Sequence, residues 1–233
     1  MRVAARVILA IGLLGAAGVV ADRVAVGIAE HRAVDAITRD VQNASSPTVT
    51  IHGFPFLTQL AAGSLHDVTA HLPTITIAGT EFADVDVAAV DVGTTQPATV
   101  HHLTVTGTLP AATLERLIAE RTGMTFTITT ADSRVIGSAH VLGLPVTAVV
   151  VPHLDAGVLR VELTDLTLAG AQIGSDALPG GLAAGAHGVV VPIDALPDGV
   201  TLTDVTVGTD GVRVTATGTD ITAGSGALAG ATR

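Results

Sequence analysis

The sequence predicts an α+β fold, with a strongly curled, mainly antiparallel β-sheet and an N-terminal amphipathic helix and one or two further helices packed on it. Apolar residues alternate with Thr or Asp in many short segments, which is the period-two pattern of half-buried strands. Gly, Asp-Gly and Pro turn signals separate these segments. A chain of 233 residues with 48% hydrophobic content can bury a sizeable core. We expect the curled sheet to enclose either a solid core or an apolar cavity.

The first helix is predicted over residues 29–43. Its apolar residues fall on one helical face and its charged and amide residues on the other, as in a helix packed on a core. The apolar face comprises Ala33, Val34, Ile37 and Val41. Ser46 and Pro47 follow the helix, and both favour its termination because the residue before proline avoids helical geometry.

The first 21 residues have the pattern of an export segment. Arg2 and Arg6 precede an uncharged apolar run over residues 7–21, and small residues stand where signal peptidase would cleave. The run is shorter than the about 20 residues that a membrane-spanning helix needs. The sequence therefore predicts export from the cytoplasm, with a cleaved signal peptide favoured over a retained membrane anchor. One domain over residues 22–220 and a flexible tail over residues 221–233 are predicted to follow.

Strands with alternating apolar residues are predicted around residues 49–51, 75–77, 83–87, 124–128, 159–163 and 212–216. One further helix is predicted over residues 109–123, with Pro110 in its first turn and Gly123 as its C-terminal cap. Residues 174–188 are rich in Gly, Ala and Pro, which predicts a loop.

Three segments share the pattern L-x-D-[VL]-T, at residues 65–69, 163–167 and 202–206. Their two apolar residues stand three apart, whereas a flat strand places residues of one face two or four apart. This change of phase predicts a β-bulge or strand break in each segment, unless the repeat is a coincidence of composition. Recurring bulges are the basis for the predicted strong curl.

Composition narrows the range of partners and chemistries. Basic residues number 11 against 21 acidic ones, so we expect no nucleic-acid partner, which would need a phosphate-neutralising surface. The absence of Cys removes thiolate catalysis, and no Ser stands in the G-x-S-x-G context of a nucleophile elbow. Adjacent His101 and His102 would face opposite sides of a strand, which does not favour a metal site. We therefore predict that the chain is not an enzyme and uses no metal or other cofactor.

Two of the four Phe residues lie in the segment HGFPFLTQLAAG, residues 52–63. The segment predicts a turn and then a short helix over residues 55–62, which Gly63 terminates. The bulky apolar side chains of this first candidate group are Phe54, Phe56, Leu57 and Leu60. They either plug one end of the curled sheet as core, the favoured interpretation for Phe56, or form the hydrophobic lip of a lipid site.

A second candidate group belongs to the later helix and the strand after it. It comprises Leu114, Leu117, Ile118, Arg121 and Phe126. Aliphatic surface is all that an acyl chain requires, because each CH2 removed from water contributes about 0.8 kcal/mol. Arg121 would supply a polar group at the mouth of such a site, or else interact only with the helix dipole.

Several segments together resemble one protein family. They are DRVAVGIAEHRAVDAI, then PTVTI running into GFPFLTQLAAGSLHDVTA, and finally LPDGVTLTDVTVGTDGVRVTATGTD. Over residues 22–220 the chain is similar to the LmeA-like phospholipid-binding proteins of actinobacterial cell envelopes. The resemblance implies an envelope phospholipid binder or carrier that associates with the membrane surface and supports lipid or lipoglycan biosynthesis. It also implies an apolar cavity of the tubular lipid-binding type that holds the acyl chains.

Two alternatives to a carrier remain open at this point. One is a lipid hydrolase with an unrecognised active site, and the other is a structural envelope module with a solid core. A carrier should purify with bound phospholipid, a hydrolase should convert it, and a structural module should carry none.

Overall fold

The structure is a computed structural model that describes residues 2–41, 43–77, 79–95, 97–122, 125–141, 143–173, 189–191, 196 and 198–223. The predicted loop over residues 174–188 lies outside the described residues. So do Gly123, Met124 and residues 224–233 of the predicted tail.

Two antiparallel sheets form most of the described chain. The strands of sheet A are β1 (Thr48–His52), β2 (Ser64–Ile77), β3 (Thr80–Gly93), β4 (Ala98–Pro110), β11 (Val200–Val207) and β12 (Gly211–Ala223). Those of sheet B are β5 (Thr127–Ala131), β6 (Arg134–Val141), β7 (Leu144–Asp155), β8 (Val158–Leu168), β9 (Ala171–Gln172) and β10 (Val189–Val191). Sheet A has the order β1-β2-β3-β4-β12-β11, and sheet B has the order β10-β8-β7-β6-β5 with β9 paired to β8. The predicted antiparallel α+β fold is confirmed.

The predicted strong curl is not seen, because neither sheet is strongly curled or closed. Closure would require the two edge strands of a sheet to pair with each other. In sheet A those strands are β1 and β11, and each pairs with one neighbour among the described strands. The pairing of β4 with β12 keeps one register over its length, whereas that of β3 with β4 shifts between Ala83 and Asp86.

Two of the three predicted bulges are present. The pairing of β11 with β12 shifts between Leu202 and Asp204, so Thr203 is the extra residue. The pairing of β7 with β8 shifts between Val149 and Val150, opposite Thr164. The prediction is wrong for residues 65–69, whose pairing with β3 keeps one register. The two bulges occur in strands at or near a sheet edge, where they bend the chain without closing the sheet.

In the part of the chain that the structure describes, three helices accompany the sheets. The first, α1 (Arg2–Asp40), begins far before the predicted residue 29 and continues through the predicted export segment. The second, α2 (Phe56–Ala62), ends at Gly63 in the left-handed conformation, as predicted. The third, α3 (Ala111–Thr122), begins one residue after Pro110, which is the last residue of β4 rather than part of the helix. Among the described residues, no helix is both long and apolar enough to cross a membrane.

The described side chains form three small apolar clusters rather than one large core. One joins Leu72, Ile75 and Val85 of sheet A to the end of α1. A second joins β11 and β12 to Leu154 and Leu159 of sheet B. A third joins α3 and β5 to β12. Sheet B therefore packs beside the β11–β12 side of sheet A, and α1 follows the opposite side.

Candidate functional site

The first candidate group divides into one buried side chain and three exposed ones. Phe56 is only 2% exposed, whereas Phe54, Leu57 and Leu60 are 58%, 42% and 46% exposed. Phe56 and Gln59 take the inner face of α2, so the leucines on its outer face have no core to join. The burial of Phe56 favours the plug interpretation for this residue. The other three side chains are available to a ligand or a surface.

Asp22 of α1 holds the N-terminus of α2. Pro55, the N-cap residue, makes no side-chain cap hydrogen bond. Instead the backbone N–H of Leu57 donates to Asp22 Oδ1 over 2.8 Å. A carboxylate at this position is favourable because it accepts hydrogen bonds from the free N–H groups of the first helical turn. The Asp22 residue is 2% exposed.

The surroundings of Asp22 shift its titration. Burial raises the pKa of the Asp22 carboxyl, but hydrogen bonds from the N–H groups of Leu57 and Phe56 and the charge of Arg23 lower it. The lowering effects prevail, so the pKa lies below its ordinary value of 3.8. Asp22 is therefore ionised at neutral pH, and its charge stabilises the docking of α2.

Two further polar contacts fix this region. Gln59 Nε2 donates to the carbonyl oxygen of His52 over 3.2 Å, and Gln59 Oε1 accepts from the backbone N–H of His66 over 3.0 Å. The backbone N–H of Ile51 donates to Glu30 Oε1 over 2.9 Å. Because β1 is an edge strand, the Glu30 contact also satisfies a backbone donor that would otherwise be exposed. Gln59 and Asp22 thus anchor α2, while Glu30 joins α1 to β1.

The second candidate group lies at α3 and β5. Leu114, Ile118 and Phe126 are partly buried and pack against Ile128, Val135 and Val212. Leu117 is also partly buried. Arg121 belongs to the last turn of α3, and its side chain is outside the described set. These apolar residues contribute to the interface between α3, sheet B and β12.

The two candidate groups lie at opposite ends of β2. Helix α2 ends at Ala62, and only its cap residue Gly63 separates it from Ser64 at the start of β2. The carbonyl oxygen of Gly63 also accepts from the N–H of Thr94. Helix α3 adjoins the other end, because Arg116 Nη1 donates to the carbonyl oxygen of Gly79 over 3.4 Å. The 14 residues of β2 span roughly 43 Å at about 3.3 Å per step. One acyl-chain mouth cannot contain both groups. We call the end of sheet A that carries α2 the α2 end.

A shallow depression of about 410 Å³ lies on one face of sheet A. It contains two cross-strand rows, Thr48-His71-Asp86-Thr106 and Thr50-Thr69-Ala88-Thr104. His71 Nδ1 lies 2.8 Å from Asp86 Oδ1, and Thr106 Oγ1 lies 3.3 Å from Thr215 Oγ1. The hydroxyl, imidazole and carboxylate groups make this depression polar and open. It does not match the predicted apolar cavity, because acyl chains require apolar walls.

The opposite face of sheet A is apolar. The pairing registers place two complete cross-strand rows on it, Ile51-Val68-Ala89-Leu103-Gly218 and Val49-Ala70-Val87-Val105-Ala216. We call these ten residues the apolar floor. Five strands at about 4.8 Å spacing make the floor roughly 19 Å wide. Ala89, Ala216 and Gly218 are buried, whereas the other seven residues are only partly buried.

A polar row borders the apolar floor at the α2 end. It consists of His66 of β2, Asp91 of β3, His101 of β4 and Asp220 of β12, which follow the floor residues along their strands and join as two side-chain pairs. His66 Nδ1 lies 3.2 Å from Asp91 Oδ1, and His101 Nδ1 lies 2.6 Å from Asp220 Oδ1. All four residues are exposed. The floor therefore has apolar surface in the middle and hydrogen-bonding groups at one end.

Sequence reasoning missed Asp22, Gln59, the apolar floor and the polar row. The apolar alternation within β3 and within β4 indicated the residues of the floor: Val87 and Ala89 stand two apart in β3, and Leu103 and Val105 stand two apart in β4. It did not show which strands would be neighbours. Among the described residues, no group of three or more His, Cys, Asp or Glu side chains could hold a metal ion.

Comparison with known proteins gives one family and no individual relative. A family model described as LmeA-like phospholipid-binding matches residues 20–217. No curated protein and no solved structure matches the chain. The matched range contains α2, the apolar floor up to Ala216, and three members of the polar row. The chain belongs to the LmeA-like phospholipid-binding family.

Proposed function

We propose that this protein is a non-catalytic phospholipid carrier that is exported to the cell envelope. The observation that carries the proposal is the match to the phospholipid-binding family over residues 20–217. Arg2, Arg6 and the apolar run at residues 7–21 support export. A carrier at that location would serve envelope lipid or lipoglycan biosynthesis by holding phospholipid during its use or transfer.

In our proposal the acyl chains lie on the apolar floor. Its seven partly buried residues retain apolar surface that a lipid chain can cover, which an already closed core would not offer. Each methylene removed from water contributes about 0.8 kcal/mol, so a long chain needs few polar contacts for affinity. The floor takes the place of the enclosed cavity that the sequence predicts.

The phospholipid headgroup lies at the polar row in this proposal. His66 and His101 each offer ring N–H groups, while Asp91 and Asp220 accept hydrogen bonds. These four residues are exposed at the border of the floor. A headgroup placed there would stay hydrated while its chains leave water.

Lipid analysis of the gently purified full chain tests the proposal. Native mass spectrometry should detect protein with bound phospholipid, and incubation with labelled phospholipid should yield no more product than a heat-inactivated sample. Protein that carries no phospholipid and takes up none from added lipid would contradict the carrier proposal. Product formation above the heat-inactivated control would instead support a lipid hydrolase.

Location is tested separately by cell fractionation and N-terminal sequencing. We expect the protein outside the cytoplasm, with an N-terminus near Asp22 if the export segment is cleaved or at Met1 if it is retained. Recovery in the soluble cytoplasmic fraction would contradict export without bearing on lipid binding.

A further inference from the structure

Helix α2 and the turn before it present three large apolar side chains to solvent. Phe54, Leu57 and Leu60 are all more than two-fifths exposed. The helix has only seven residues, yet Asp22 and Gln59 hold it to α1 and to the β1–β2 end. Exposed leucines on a short, well-anchored helix do not contribute to the core. Such clustering is typical of an interaction surface.

Helix α1 brings a second apolar surface to the same region. Val20, Val24 and Ile28 are exposed at successive intervals of four residues, so they share one face of α1. Asp22, which contacts α2, lies two residues from both Val20 and Val24 and therefore on nearly the opposite face of the helix, so the apolar face of α1 points away from α2. Towards the N-terminus, α1 continues as helix through the uncharged run at residues 7–21. Each helix therefore has an exposed apolar face at this end, and Val24 and Ile28 remain in the chain if the segment before Asp22 is cleaved.

A lipid bilayer is the occupant that suits these surfaces. Both helices expose aliphatic side chains, and Phe54 adds an aromatic ring beside α2. The interfacial region of a bilayer accommodates such groups without requiring a binding pocket of complementary shape. The Arg23 guanidinium carbon lies 5.0 Å from the centre of the Phe54 ring. An arginine beside an exposed ring matches the boundary between headgroups and acyl chains, since its stem can lie in apolar surroundings while its charge stays hydrated.

We propose that the α2 end is a membrane-docking surface, with Phe54, Leu57 and Leu60 inserting into the interface of a lipid bilayer. The inference rests on the proposed function for its purpose, because docking at this end brings the polar row and the apolar floor to the source of the lipid. Its physical basis, the exposed side chains and their anchoring, does not depend on what the floor binds.

Single-tryptophan variants of the full chain test the docking surface directly, because the natural sequence contains no Trp. Leu60→Trp places the reporter on α2. Leu144→Trp is the matched control, since Leu144 of sheet B is 47% exposed and Leu60 is 46% exposed. Each variant is mixed with phosphatidylcholine vesicles, with or without brominated phosphatidylcholine as a quencher. The reporter senses contact at α2 whether or not the N-terminal segment also holds the chain to the vesicle.

We expect Leu60→Trp emission to shift to shorter wavelength on vesicles and to lose most of its intensity to the brominated lipid, while Leu144→Trp changes little. No change in Leu60→Trp, or equal quenching of both variants, would overturn the proposed docking surface. A blue shift that appears without vesicles and grows with protein concentration would assign the surface to a second copy of the chain and also overturn it.

Bound phospholipid measured on the same preparations separates the two proposals. Co-purified phospholipid with an unquenched Leu60→Trp would refute docking at α2 and leave the carrier function standing. Selective quenching of Leu60→Trp in protein that neither carries nor takes up phospholipid would support docking and refute the carrier.

Discussion

The two Phe residues on either side of Pro55 should respond very differently to replacement by Ala. Phe56 is 2% exposed at the inner face of α2, whereas Phe54 is 58% exposed. Removing a buried phenyl ring costs about 3–5 kcal/mol, because the transfer free energy is lost and a cavity remains. Phe54→Ala removes mainly the contact with Arg23, and a cation–π contact at an exposed site contributes about 0.5–1 kcal/mol.

These free energies convert into a measurable difference in melting temperature. For a domain of this size, 1 kcal/mol shifts the midpoint by about 2–4 °C. Phe56→Ala should therefore lower the melting temperature by roughly 6–20 °C, and Phe54→Ala by at most roughly 4 °C. Thermal unfolding followed by far-ultraviolet circular dichroism measures both. Equal shifts in the two variants would refute the assignment of Phe56 as the buried plug.

Two further predictions concern the anchoring of α2. Asp22→Ala should destabilise the protein at neutral pH. The folded-state pKa of Asp22 lies below its ordinary value of 3.8. The stabilisation by the ionised carboxylate is therefore fully present above pH 3.8 and is lost as pH falls through the folded-state pKa. Melting curves of wild type and Asp22→Ala should therefore converge in acid, and a constant difference down to the lowest pH would contradict the role of the charge. Gly63→Ala should lower the free energy of unfolding by about 1–2 kcal/mol, since Gly63 has a φ of 79° that residues with a Cβ adopt only with strain. An unchanged denaturant midpoint would contradict the role of Gly63 as the C-terminal cap of α2.

Local features of the fold were predictable from the sequence. The end of α2 at Gly63 follows from the conformational freedom of glycine, and the bulges at Thr164 and Thr203 follow from a change in apolar spacing. Each depends on a few neighbouring residues. The bulge predicted at residues 65–69 failed because pairing with β3 holds that segment of β2 in a regular register.

Non-local features could not be predicted in the same way. The hydrogen bond between Asp22 and Leu57 joins residues 35 positions apart, and Asp22 in the sequence resembles only the end of an export segment. The apolar floor depends on β12 pairing with β4, which brings Ala216 beside Val105. Strand order and register decide such proximity. Strand order and register also place α2 and α3 far apart. From the sequence alone, the apolar residues of both helices are equally suited to the mouth of a lipid site.

The central claim is that phospholipid chains bind the apolar floor rather than the polar depression on the other face of sheet A. Val68 and Ala88 allow a paired test, because Val68 belongs to the floor and does not line the depression, whereas Ala88 does. A phenyl ring at Val68 that displaces two methylenes would weaken binding by about 1.6 kcal/mol, more than tenfold. Bound phospholipid per folded protein should be measured by native mass spectrometry for wild type, Val68→Phe and Ala88→Phe. We predict a large loss in Val68→Phe and a wild-type amount in Ala88→Phe; loss in Ala88→Phe with full retention in Val68→Phe would contradict the account.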